Sequence, residues 1–311
     1  MGSTRSARTS PAPSGPAPAP AAAFTASAPP AAPAPCRFAP CNLGRAQTFG
    51  CPLLVLFVIA LNYYTVVLFT LSFHAYSAGA IVLVIFFHLL LVPLLMAWAL
   101  TIFTDPGTPP EAWQREMAAK AAQTAGGFYV PTCRRSGLYK PPRSHFDSVT
   151  KRLTLNMDHF CPWVSNTVGF YNRKFFVLFL LYANLILLYN ILAIAIELGF
   201  MWDYLGTPAA TAAWGLPSPG SQVVACLALG IDVVVICMLA PFFWVHLKMA
   251  ARNETTIDGS RFPEFELGRE ANLRQVLGAN RAVWLLPLYC SGPDGDGVNW
   301  PRRIIDEDAI L

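Results

Sequence analysis

Charge is scarce in this chain of 311 residues. Asp, Glu, Lys and Arg together make up 13% of it, against 54% hydrophobic residues, about half the charged share of a soluble globular chain. So few charges cannot clothe a surface in water. That excludes an ordinary soluble fold and leaves a surface that largely faces lipid. Two stretches, Ser72–Ala78 and Phe200–Gln222, lack Lys, Arg and Cys altogether. The eight cysteines therefore build no disulfide framework on that side of a membrane. The start of the chain lacks an apolar stretch followed by a small-residue cleavage site, so no signal peptide is expected.

What the chain does have is four long apolar runs: Pro52–Leu71, Gly79–Phe103, Phe175–Gly199 and Val223–Val245. Each reaches the ~20 residues that a membrane-crossing helix needs. All 22 Lys and Arg residues fall in three segments, 1–50, 104–174 and 248–311. By the positive-inside rule both termini and the 104–174 segment face the cytosol, and Ser72–Ala78 and Phe200–Gln222 are lumenal. The predicted fold class is all-α integral membrane, four transmembrane helices with a loop-rich cytosolic domain between the second and third. The expected organisation is a Pro/Ala-rich disordered tail (1–50), helices 1 and 2 (51–103), the cytosolic domain (104–174), helices 3 and 4 with a lumenal loop (175–248), and a cytosolic C-terminal tail (249–311).

Between Pro11 and Pro40 the chain holds ten prolines, which cannot bury a core. Gly2 lies in a short myristoylation-like pattern that chance explains as well. Glu111–Gln123 reads as a surface helix, Gly126–Asn172 as loop, and Asn272–Leu286 as an amphipathic helix carrying Leu273, Val276, Leu277 and Val283. Pro93 predicts a kink in the second span. Asp232 and Glu197 are the carboxylates of the spans. Intramembrane carboxylates are costly and often functional, which keeps a small transporter or channel as a third reading. The bland account pairs Asp232 with Asn184, Tyr189 or Asn190, lets Glu197 reach water, and makes Asn62 a helix–helix hydrogen bond.

Chemistry concentrates in Asp158-His159-Phe160-Cys161-Pro162-Trp163. A free thiol with a pKa of about 8.5 is mostly protonated at neutral pH. An adjacent imidazole can take its proton, and a carboxylate can hold that imidazole in the right tautomer. In a helical or turn-like conformation Asp158 and Cys161, at i and i+3, share a face. Without context, a polar loop with an incidental thiol explains these residues better.

Context is supplied by a longer pattern. Lys140, Pro141, Arg143, Asp158, His159, Cys161, Pro162, Trp163, Asn166, Gly169, Asn172 and Phe176 stand in register with the cysteine-rich domain that the chain resembles, that of the DHHC family of protein S-acyltransferases. Asp105, Pro106 and Gly107 resemble that family's DPG motif. Thr255, Thr256, Ile257 and Asp258 resemble its TTxE motif with Asp in place of Glu, and Asn272 falls where its C-terminal motif has a structural Asn. The resemblance implies that Cys161 is the nucleophile and takes up an acyl group, with His159 as general base and Asp158 orienting it. It implies acyl-CoA, probed as palmitoyl-CoA, as co-substrate, membrane-associated proteins as acceptors, a bilayer setting in Golgi or ER, and no nucleic-acid partner. Trp163, Phe176 and Phe179 are the candidate lining of an acyl cavity. Lys140 and Arg143, with Arg173 and Lys174, are the cations offered to CoA phosphates. A catalytically silent scaffold or chaperone of the same family is the alternative.

The family usually binds two zinc ions through six cysteines and two histidines. Here those positions hold Cys133, Ser136, Phe146, Asp147, Thr150, Leu153, Phe160 and Thr167. A structural zinc needs four Cys or His ligands, so zinc is expected to be absent. A small apolar cluster of Phe146, Leu153 and Phe160 is the expected replacement brace, with His145 a hydrogen-bonding loop residue.

Overall fold

The computed structural model describes residues 45, 47–68, 70–71, 77–123, 129–205, 219–288 and 292–304. Gly2, Cys36, Cys41, Cys290, the Pro/Ala-rich tail and most of both expected lumenal connections lie outside them. Four helices are long and apolar enough to cross a membrane. Helix α1 (Gly50–Asn62) runs on into a π-helical stretch, Tyr63–Leu68. Helix α2 spans Ala78–Phe103, with Pro93 inside it and the Ser77 hydroxyl accepting from the Ala80 amide at its start. Helix α3, Glu111–Gln123, has the predicted bounds. Helices α4 (Arg173–Leu205) and α5 (Pro219–Ala251) complete the set.

Apolar residues surround the four long helices, α3 excepted, on all sides, as spans in lipid require. Leu53, Phe57, Phe86, Leu89, Val234 and Trp244 face outward. Half of the α4 span is buried, against 17% of the α5 span. Helix α4 is thus the axis, packed along α2 and α5. Asn62 Nδ2 donates to Asp232 Oδ1 at 2.8 Å, tying α1 to α5. Asp232 also bonds to Asn190 on the third span, one of the partners expected, and Asn62 does bridge helices. Glu197 does not reach water: it is buried.

The 104–174 region is not only loop. Strands β1 (His145–Asp147) and β2 (Arg152–Thr154) form one antiparallel pair, and β3 (His159–Cys161) and β4 (Asn166–Val168) another. Three-residue strands are too short to show a period of two in sequence. Pro162–Val164 makes a 3₁₀ turn between β3 and β4, and Ser165 follows in the left-handed region at φ 46°. That turn is fastened to the membrane helices. Pro106 ends α2, whose last carbonyls have no partner within the helix. Asn166 Nδ2 donates to three of them, Thr101 O at 2.9 Å, Ile102 O at 3.1 Å and Thr104 O at 2.9 Å. Arg45 adds bonds to Ile102 O at 2.8 Å and Ser165 O at 2.6 Å.

Asn166 makes the shorter of the bonds donated to Thr101 O and Thr104 O, and under-satisfying such buried carbonyls costs about 1–3 kcal/mol. Asn166→Ala is therefore expected to lower the thermal unfolding midpoint in detergent. Asn166→Asp, which turns an acceptor toward three acceptors, is expected to lower it further.

The Asp105-Pro106-Gly107 motif docks on the end of β2 and the segment after β4, the Leu155 amide donating to Gly107 O and the Tyr171 amide to Pro106 O. Asp105 accepts from the Gly107 amide at 2.9 Å and pairs with Arg152 at 2.9 Å. Gly107 sits at φ +103°, where an added Cβ would meet Tyr171 at 2.8 Å, so only glycine suits the position. Beyond α5, helix α6 (Arg269–Leu277) is shorter than the expected 272–286 helix. Gly278, at φ 94°, stops it and leaves Val283 in a separate 3₁₀ turn. Asn272 donates to Ala251 O at 2.9 Å and so caps the end of α5. Phe170, Leu155 and Val298 form a small core under the tail, with Trp300 against it.

Candidate active site

Strand β3 places the reactive groups. Its extended backbone puts His159 and Cys161, two apart, on one face, so the expected i, i+3 turn relation of Asp158 to Cys161 is replaced by a strand relation. Asp158 stands just before the strand, fully buried. Its Oδ2 accepts from His159 Nδ1 at 2.5 Å. The same imidazole is hydrogen-bonded to Cys161, which is buried. Three groups thus form a chain: carboxylate, imidazole, thiol.

Asp158 is itself held by the segment after α5. The Thr256 amide donates to Asp158 Oδ1 at 2.9 Å, and the Thr256 hydroxyl to Asp158 O at 2.5 Å. Burial alone would raise the Asp158 pKa, but the His159 hydrogen bond and the charges of Arg173 and His159 outweigh it and hold it at about 2. For His159 burial works downward, and the hydrogen bonds to Asp158 and Cys161 push it up to about 9. The ring therefore keeps a proton at neutral pH. The expected general base thus rests as the imidazolium.

A cavity of about 550 Å³ opens beside Cys161. Trp163, Phe176 and Phe179 lie on its wall, as the sequence suggested, with Leu54, Phe87 and Phe242 among the other lining residues. Along α4 it runs from Phe176 to Asn190, about 21 Å of helix at 1.5 Å per residue. All four membrane helices contribute to it.

The proposed phosphate cations fare differently. Arg143 is buried. It donates to Asp258 Oδ2 at 3.0 Å and Asn253 Oδ1 at 2.8 Å, and lies 4.5 Å from the Trp300 ring centroid. Every face of the guanidinium is engaged, so it joins the cytosolic domain to the C-terminal segment instead of meeting a phosphate. Asp258 also takes His145 Nε2 at 3.0 Å, so that histidine makes the hydrogen bond expected of it, from strand β1 and not from a loop. Lys174 is buried and donates to Val283 O at 2.8 Å and Leu288 O at 2.5 Å. Arg173 is buried and donates to Glu254 O. Lys140 is half-buried near Cys133.

The eight positions where the resemblance implies zinc ligands fall into two groups. Asp147 Oδ2 accepts from the Thr150 hydroxyl at 2.6 Å and from the Thr167 hydroxyl, while Oδ1 accepts from the Val149 amide at 2.8 Å. Phe160 faces Thr167 across β3 and β4. In the other group Phe146 faces Leu153 across β1 and β2, and Cys133 bonds with Ser136. One thiol in one group, and one carboxylate already satisfied in the other, do not fit a tetrahedral zinc site. In the strand register Phe160 is thus paired with Thr167 and not with Phe146 or Leu153. Among the described residues a single His/Asp group could offer three metal ligands, Asp158, His159 and His246, whose ligand atoms lie within 4.8 Å of one another. Two of these are the groups already committed to Cys161.

His246 is the residue of this site that sequence reading passes over. It is one imidazole in the apolar run of α5, and its only signal is its place one turn after Phe242.

Comparison with known proteins agrees with this geometry. Residues 130–261 match the family model described as DHHC palmitoyltransferase. A protein of Arabidopsis thaliana named "Probable protein S-acyltransferase 12" is 34% identical over 259 residues, covering 76% of this chain and 86% of that one. Human "Palmitoyltransferase ZDHHC20" is 29% identical over 293 residues, covering 82% of this chain and 77% of that one. With similarity of that extent, four membrane-crossing helices and the Asp158–His159–Cys161 chain at a cavity mouth, the protein belongs to the DHHC palmitoyltransferase family and is a membrane-embedded acyltransferase.

Proposed function

We propose that this enzyme moves a long-chain acyl group, palmitoyl in the first instance, from acyl-CoA to cysteine thiols of membrane-associated proteins through a thioester on Cys161. One observation carries the reading: a thiol bonded to a carboxylate-held imidazole stands at the mouth of an apolar cavity about 21 Å long. Buried alkyl chain contributes about 0.8 kcal/mol per CH₂, so such a cavity favours long chains over short ones. In the first half-reaction Cys161 Sγ attacks the thioester carbonyl, the carbon–sulfur bond to CoA breaks, and the proton held by His159 passes to the CoA sulfur. In the second, the acceptor thiol gives its proton to His159 and takes the acyl group, and Cys161 leaves as thiolate. Asp158 and Thr256 hold the imidazole in place throughout. Lys140 is retained as the proposed phosphate contact. Trp163, Phe176 and Phe179 are proposed to steer the acyl chain.

Incubating the purified protein with palmitoyl-CoA is expected to add one acyl group, hydroxylamine-sensitive and mapped by mass spectrometry to Cys161. No adduct on that peptide would overturn the reading. Nothing among the described residues favours a silent scaffold, since the three reacting groups are all present and joined.

We also propose that both zinc sites are replaced, one by the Asp147–Thr150–Thr167 hydrogen bonds and the other by the Phe146–Leu153 pair. Atomic absorption on the purified protein is expected to find no stoichiometric zinc; two equivalents would refute this. The placement of both termini and residues 104–174 in the cytosol, in a Golgi or ER membrane, rests on the partition of Lys and Arg and on family likeness.

A further inference from the structure

The cavity-facing stripe of α5 runs Val235, Met238, Leu239, Phe242. The next residue on that stripe, one turn on, is His246. It is buried, and its ring lies 4.4 Å from that of Phe242, 5.1 Å from that of Phe176 and 5.6 Å from that of His159. An imidazole costs more to bury here than Phe or Leu unless it bonds to something. Its Nε2 has no hydrogen-bond partner among the described residues. Its Nδ1 lies 3.8 Å from Asp158 Oδ2, the oxygen that already accepts from His159 Nδ1 at 2.5 Å. Two imidazoles from different elements thus address one carboxylate oxygen, one bonded to it and one just beyond bonding distance. The other groups facing His246 are the charge of Arg173, at the start of α4, and the rings of Phe176 and Phe242. Asp158 is the one acceptor of a proton bond among them.

We infer that His246 is a positioning residue of the acyl-transfer site: it closes the α5 side of the Asp158–His159 pair to water and offers Asp158 Oδ2 a second N–H whenever the His159 ring loosens its own contact. Such moments occur twice per turnover, when His159 gives its proton to the CoA sulfur and when it receives one from the acceptor thiol. Without a second donor the buried carboxylate would face those steps with its Oδ2 unsatisfied. The α5 end and the segment after it then act as one support, His246 beside Oδ2 and Thr256 on Oδ1. No bond to carbon or sulfur changes at His246, and it keeps its own proton.

This inference rests on the proposed Cys161 thioester, and the test separates the two. Full-length His246→Phe, His246→Asn and His246→Gln proteins are purified in detergent beside the unsubstituted protein. Each is assayed for acylation by palmitoyl-CoA and for the pH profile of Cys161 alkylation by iodoacetamide, read on the Cys161 peptide. Phe keeps the ring packing and removes the N–H. Asn and Gln keep an N–H donor and remove the ring.

The expected result for His246→Phe is a kcat lower by roughly ten- to a hundredfold, the scale of a small misplacement of a reacting group, with KM for palmitoyl-CoA unchanged and the alkaline limb of the alkylation profile moved to lower pH. Asn or Gln is expected to recover most of the rate and the profile. A His246→Phe protein with the unsubstituted rate and profile overturns the inference. Asn and Gln variants that both fold and are as slow as Phe also overturn it, since the ring and not the N–H would then matter. If the unsubstituted protein takes no acyl group on Cys161, the thioester reading itself fails.

Discussion

Cys161→Ser is expected to abolish the hydroxylamine-sensitive acyl label on the 161 peptide and to abolish transfer to acceptor proteins. The reason is electronic. A hydroxyl holds its proton far more tightly than a thiol, and His159 is set to hold a proton that a thiol can surrender. Serine also keeps the side-chain size at this buried position, so loss of label reports on chemistry and not on folding. The measurement is in-gel fluorescence after labelling with an alkyne fatty acid, with and without hydroxylamine, followed by peptide mapping. Label surviving the substitution and mapping to Cys36, Cys41, Cys51 or Cys290 would be ordinary lipidation of the chain. Label surviving on the 161 peptide would end the nucleophile assignment.

Asp158→Asn has the second largest expected effect. The carboxylate holds His159 Nδ1 at 2.5 Å and is the main reason the ring stays protonated to about 9 despite burial. An amide at that place carries no charge and can turn its own N–H toward the ring, favouring the wrong tautomer. Acylation by palmitoyl-CoA at pH 7.5 is expected to fall on the order of 10³- to 10⁴-fold, as in other acyl-transfer sites when this support is lost.

The sign of the pH dependence follows from the two shifts. His159 is raised, so its contribution to the folded site is complete below its ordinary value of ~6.5 and is lost as pH rises through about 9. Asp158 is lowered, so its contribution is present above the ordinary carboxylate value of ~3.9 and is lost as pH falls through about 2. Between these limits the pair is intact, and acylation is expected to hold a plateau that falls near pH 9. In Asp158→Asn the alkaline limb is expected to move down toward ~6.5. A variant with an unmoved limb would show that Asp158 does not set the proton affinity of His159.

Much of this was legible in the sequence, and the reasons are specific. Membrane helices declare themselves by length, because each must satisfy its backbone internally over a fixed thickness. Helix α3 declares itself by Pro109-Pro110 followed by Glu111, a local start signal. Asp158, His159 and Cys161 are close in sequence, so a strand suffices to join two of them and the third is adjacent. Arg143 shows the opposite case. A cation for phosphate and a cation for a buried carboxylate look alike in sequence, and its partner Asp258 lies 115 residues away. Lys174 and the Asp232–Asn62 pair were misread or unread for the same reason.

The amino-acid sequence by itself determined the number and span of the membrane helices, the grouping of Asp158, His159 and Cys161, and the loss of thiols from the zinc-type positions, because each depends on composition or on neighbours within a few residues. Only the tertiary structure decided which cations are spent on holding the chain together, how Asp147 is satisfied, and that His246 and Thr256 meet at Asp158. Those are contacts between elements brought together by packing, where burial and direction decide what a side chain does, and neither quantity is written in the order of residues.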